Sequence, residues 1–143
     1  MAAVLDVATF ILHEHGPMTA MKLQKLVYYS QSWHLVWEDC ELFPERIEAW
    51  ANGPVVPDLY REHRRQFRLS ESDISGNPAM LDKPEKSTVM AVLKYYGKLS
   101  AQQLSDLTHS EEPWKGAREG YGPGERSYDI IPLSAMAEYY GSL

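Results

Sequence analysis

The side chains of this chain that are able to do chemistry are few and scattered: 5 histidines, 1 cysteine and 20 acidic residues. His13 and His15 stand two apart, which turns them to different sides of a helix, so they do not form the one-face pair that a helical zinc site needs. Cys40 with a distant histidine would be a minimal nucleophile pair, but no local signature accompanies it, and it reads as packing at a helix end. Asp58 and Glu62 lie one helical turn apart, the spacing of an acid–base pair. Arg61, Arg64 and Arg65 beside them point instead to an exposed ion-pair cluster. His109 with Asp106, near Trp114 and Arg118, is the best catalytic suggestion, and it too reads first as a buried structural network. Gly53 and the cluster from Gly120 to Gly124 do not follow a strand and open a helix, as a phosphate-binding loop does. The expectation is a protein that binds rather than catalyses, with no metal and no cofactor.

The elements that would hold these residues are mostly helices. Helical spacing of Val4, Leu5, Ala8, Phe10, Ile11 and Leu12 predicts a first helix, stopped by Gly16-Pro17. Thr19 can cap a long second helix through Trp37, with Leu23, Leu26, Val27, Ser30, Trp33, His34 and Trp37 on one arc. Its other side carries Met21, Tyr28, Tyr29, Leu35 and Val36, so either a second layer covers it or it is a sticky surface. Residues Arg46 to Ala51 alternate before Asn52-Gly53-Pro54, which predicts a small hairpin with Val55-Val56 in the return. A helix from Asp58 to Phe67 follows, then a loop from Ser70 to Pro78 expected to be mobile. Asp82 with Glu85, and Ser100 with Gln103, are capping boxes that start two further helices, the first ended by Gly97 and the second running through Thr108. A helical turn follows Pro113-Trp114, and Pro132 opens a last helix to about Tyr140. The fold class is therefore α+β, predominantly α-helical, with about six helices around a long central one and one small β-hairpin.

A length of 143 residues, 44% hydrophobic and 24% charged, suits one globular domain spanning 1–143. The net charge of −6 gives no long-range attraction to nucleic acid or anionic lipid, so neither is expected as a partner. The one basic run, Arg61 to Arg68, is a weak signal for a local patch. A single cysteine forms no internal disulfide, and no signal peptide or spanning segment is read, so the expected location is cytoplasmic.

Three stretches in order resemble the Panacea domain, the SocA-like, phage-associated family. They are the helix Met21 to His34 with its Lys22-Leu23-Gln24-Lys25-Leu26 run, the segment Ile47 to Tyr60 with Asn52-Gly53-Pro54, and the capped helix Ser100 to Leu107 followed by Thr108-His109, Pro113-Trp114 and Ala117-Arg118. The resemblance covers about residues 4 to 120; Ser30 and Ser32 depart from it, and Gly120 to Tyr128 has no counterpart in it. It implies an antitoxin of a toxin-antitoxin system that neutralises a cognate toxin, encoded by a neighbouring gene, through direct contact. Some relatives resemble adaptors that deliver a toxin to a protease. No catalytic residue carries over.

Trp, Tyr and Arg dominate binding hot spots. The candidate toxin-binding residues are therefore Tyr28, Tyr29, Trp50, Asn52 and Tyr60, rimmed by Lys22, Lys25 and Arg61, while Trp33 and Trp37 read as core. The acidic charge suggests a basic toxin. A homo-oligomer is left open, as are an enzyme using His109 and a regulator using the Arg61 to Arg68 run.

Overall fold

A helix with large side chains on every side needs a shell on every side, and that need arranges the rest of the chain. The computed structural model describes residues 1–143. In chain order the elements are Val4–His15 (α1), Met18–Thr19 (β1), Ala20–Glu38 (α2), Glu48–Trp50 (β2), Gly53–Val55 (β3), Pro57–His63 (α3), Arg68–Leu69 (β4), Lys83–Tyr96 (α4), Ala101–Ser110 (α5), Glu112–Ala117 (α6) and Leu133–Gly141 (α7). The fold is α+β and predominantly helical, with two small antiparallel sheets, β1 with β4 and β2 with β3. The helical turn expected after Pro113 is a helix of its own, α6, which brings the helices to seven, and the β1–β4 pair is an addition to the one expected hairpin.

Thr19 Oγ1 accepts the Lys22 amide at 3.2 Å and starts α2, and Asp39 ends it at φ 56°. Between these points Leu23 to Ser32 are all buried, because α1, α4, α5 and α7 pack around the helix. A second layer thus covers Tyr28 and Tyr29. The last turn outruns this shell: Trp37 stacks on Trp33 with centroids 5.2 Å apart but stays 49% exposed, so it is not the core residue that its place on the arc suggests.

Burying every face of α2 also buries its polar side chains, and each finds partners. The Gln24 amide accepts from the Val56 N–H at 2.9 Å and donates to the Val56 carbonyl at 3.4 Å, which clamps the start of α3. Two turns later Gln31 accepts from the Leu42 N–H at 2.7 Å and donates to the Phe43 carbonyl at 2.8 Å. Tyr29 and Tyr140 each donate to Glu111 Oε1 at 2.7 Å. Tyr140 has spent its one proton there, so Tyr28 is the donor in the 2.9 Å Tyr28–Tyr140 contact. The chain of hydrogen bonds ties α2 to α7 and to the start of α6, and Tyr29 stacks on Tyr96 of α4 at 4.1 Å.

Four segments differ from expectation. The third helix stops at His63, since Arg64 turns extended and Arg65 takes φ 75°, which swings Arg68-Leu69 back to pair with Met18-Thr19. The segment 70–78, expected to be a mobile loop, contains the short turn Glu71–Asp73 and is tied down by the Asn77 N–H on Asp6 Oδ1 at 2.8 Å and by Ser75 on Glu62. Pro132 is the residue before α7 rather than its first. Cys40 is exposed rather than packed, with its Sγ 3.7 Å from His34 Nε2.

Burial raises the Glu111 carboxyl above its ordinary value, and the two phenols only partly offset this. A raised folded-state value means that stability is fully present below the unfolded carboxyl value and is lost as pH rises through the folded one. Glu111→Gln keeps an oxygen acceptor for both phenols and should flatten the fall of stability across that window, measured by urea unfolding at a series of pH values. Glu111→Leu orphans two O–H donors and should cost about 1–3 kcal/mol at every pH.

Candidate binding cleft

The β2–β3 hairpin pairs Glu48 with Val55, Ala49 with Pro54 and Trp50 with Gly53, so Ala51 and Asn52 form its tip. Gly53 sits at φ 126°, and a Cβ there would come 2.5 Å from Lys25 Cε, so the absent side chain makes room for the lysine stem. Pro57 then launches α3 and sets Tyr60 edge-on to Trp50, with centroids 5.0 Å apart. Between α2, the hairpin and the end of α3 lies a cleft of about 560 Å³ lined by 16 residues.

A third strand-like segment closes one side. The Ala49 N–H donates to the Asp129 carbonyl and the Ile131 N–H to the Ile47 carbonyl, both at 2.8 Å. Arg118 fixes the turn before it, donating to the carbonyls of Ala49, Gly122 and Glu125 at 3.1, 3.2 and 2.6 Å. Arg126 and Tyr128 are thereby brought to the cleft, with Tyr128 edge-on to Trp50 at 6.1 Å.

The electrostatics of this cleft run against the charge of the whole chain. Lys25, His63, Arg64, Arg65 and Arg126 line it, and no carboxylate does. Lys25 is 1% exposed, its Nζ has one acceptor, the Pro54 carbonyl at 3.2 Å, and burial brings its pKa down to about 7. His63 Nε2 accepts from the Gln24 amide nitrogen at 2.9 Å, which makes the ring the neutral Nδ1–H tautomer; burial and the nearby Lys25 lower its pKa.

Of the expected contact residues, Lys25, Trp50, Asn52 and Tyr60 meet at this cleft. Arg61 points outward from α3, ion-paired to Asp58. Lys22 lies elsewhere, its Nζ donating to the Gly97 carbonyl at the end of α4 at 2.6 Å. Tyr28 and Tyr29 are 1% and 0% exposed, so they serve the core and not a contact face. The residues missed were His63, Arg64 and Arg65, which the basic run marks only as a weak patch, and Arg126 and Tyr128. Nothing in their local sequence marks the last two, because the long-range anchor at Arg118 is what places them.

The rival constellation does not assemble as an acid–base pair. His109 lies flat on Trp114, with centroids 4.0 Å apart and ring planes 9° apart, while Asp106 accepts from Gln102 at 2.9 Å. The His109 Nε2 is buried without a partner, and burial lowers the ring's pKa. No helix is long and apolar enough to cross a membrane.

The two glutamine clamps of the long buried helix, the Asn-Gly-Pro hairpin and the capped fifth helix all fall within residues 23–115, which the sequence profile of the family described as antitoxin SocA-like, Panacea domain, matches; the chain belongs to that family. Among curated proteins it is similar to Antitoxin SocA of Caulobacter vibrioides, 29% identical over 133 residues, which is 85% of this chain and 66% of the relative's length. No solved structure matches it.

Lys25 carries a folded-state value near 7 against about 10.4 in the unfolded chain. Between these the unfolded chain holds the extra proton, so stability should rise with pH across that interval. Lys25→Met should abolish the slope and, at neutral pH and below, be as stable as the parent or more so; a marked loss of Tm on that substitution would show that the amine holds the fold together.

Proposed function

We propose that this chain is an antitoxin that neutralises a toxin by direct contact through the mouth of the cleft. Membership of the SocA-like family supports the antitoxin role, as does the likeness to a protein named Antitoxin SocA. The observation that carries the choice of surface is the gathering of Trp50, Tyr60 and Tyr128 with Arg64, Arg65 and Arg126 at one concave opening. These residue types concentrate binding energy: they bury large area, pair edge to face, and make planar charge-assisted hydrogen bonds.

The face is locally basic, so the expectation of a basic toxin, drawn from net charge, does not hold for this surface. The complementary toxin surface is acidic or mixed. In this reading the role is not catalytic, the chain acts alone on its partner, and one domain spanning 1–143 does the work.

A second reading, delivery of the toxin to a protease, needs a second contact face. Trp37, Tyr95 and Leu143, all exposed, lie along a separate groove between α2 and α4 and would supply one.

Co-expression with the adjacent open reading frame tests both. Sequestration predicts growth arrest by the neighbour, rescue by this chain, a co-purifying complex, and an unchanged toxin level on immunoblot; an adaptor predicts rescue with a falling toxin level. Tyr60→Ala combined with Arg65→Glu should keep the circular dichroism of the parent and lose rescue. Retained rescue would move the contact face away from the cleft.

A further inference from the structure

Beneath the rim, the floor of the cleft has a chemistry that a protein contact face does not require. A buried ammonium kept for structure is met by a carboxylate or by several acceptors, since each of its three N–H groups loses water on burial. Lys25 has one acceptor, and no carboxylate lines the cleft. The groups facing it are basic or neutral: His63 from α3, His109 and the Thr108 hydroxyl from α5, and the Pro54 carbonyl from β3. Three exposed arginines, Arg64, Arg65 and Arg126, line the opening. Nowhere does this chain of net charge −6 resolve that excess of positive charge with its own side chains.

Shape adds a second constraint. The cleft volume of about 560 Å³ lies in the range of small-ligand sites, and aromatic rings of Trp50, Tyr60 and Tyr128 wall one side of it. Basic groups at floor and rim with flat apolar walls fit an oxyanion attached to a flat body.

We infer that the cleft is a binding site for a small phosphate monoester carried on a flat, aromatic body, with its phosphate between Lys25 and the rim arginines. An ammonium with unfilled donor capacity and planar guanidinium forks provide charge-assisted hydrogen bonds to the phosphate oxygens. The aromatic walls take the body of the ligand. Binding a dianion beside Lys25 favours its charged form, so above neutral pH the complex takes up a proton that the free protein lacks. The inference concerns the chain alone and does not depend on the antitoxin reading.

The test is calorimetric titration of the whole chain at low salt with three probes: adenosine monophosphate, inorganic phosphate and adenosine. Saturable binding at one site is expected for adenosine monophosphate, weaker binding for inorganic phosphate and none for adenosine. Repeating the first titration at about pH 8 in buffers of different ionisation enthalpy should reveal uptake approaching one proton. Lys25→Met should weaken binding about tenfold or more and remove the proton uptake, and Arg126→Ala should weaken it while leaving the uptake. Lys86→Ala, on the exposed side of α4, should bind as the parent. The proposal is overturned if no phosphate probe saturates by about 10 mM, if adenosine binds as well as its monophosphate, or if folded Lys25→Met binds and takes up protons like the parent.

Discussion

The structure depends on burying a helix from all sides without orphaning its polar groups. From Leu23 to Ser32 α2 has no solvent face, yet it carries two glutamines, a lysine, two tyrosines and two serines in that stretch. Leaving a buried polar group unpaired costs about 1–3 kcal/mol, comparable to the whole margin of a small domain when several are summed. The serines return their hydroxyls to the helix, Ser30 to the Leu26 carbonyl and Ser32 to the Tyr28 carbonyl. The glutamines reach outward to the loop backbone at 42–43 and 56, Tyr29 to the acid at the head of α6, and Tyr28 to Tyr140 of α7. The polar residues of α2 thus specify which loops sit where, a task that apolar packing performs poorly because it lacks direction.

Much of this frame can be read along the chain. Capping boxes at Asp82 and Ser100 and the cap at Thr19 are local devices of three or four residues, and all three are present in the structure. The Asn52-Gly53 turn is equally local. The failures share a cause of the opposite kind. The third helix ends early because Arg68-Leu69 is claimed by a strand fifty residues back in the sequence, and Trp37 is exposed because the shell ends before the helix does. Neither competitor is visible in a local window.

The cleft was half legible for the same reason. Trp50, Asn52 and Tyr60 are flanked by turn residues and charge, which local reading can weigh, and they do meet at one opening. Tyr28 and Tyr29 have the same residue type as Tyr60, but a helix with both faces covered gives no periodicity by which to separate surface from core. Arg126 and Tyr128 come from a segment without pattern, placed by one arginine that donates to three carbonyls.

Lys25 is the exception to the rule by which α2 is built. Each glutamine of its buried stretch both donates and accepts, and each tyrosine places its one proton, while this amine ends beside a single carbonyl, under a glycine that makes room for its stem. A hydrophobic residue of similar length would fill the space without the desolvation penalty that brings the amine down to about 7. Stability therefore gives no reason for an amine at this position. The cost of keeping it falls in a cleft that basic side chains line without a carboxylate, and that coincidence ties the least comfortable group in the core to the surface proposed above as the contact face.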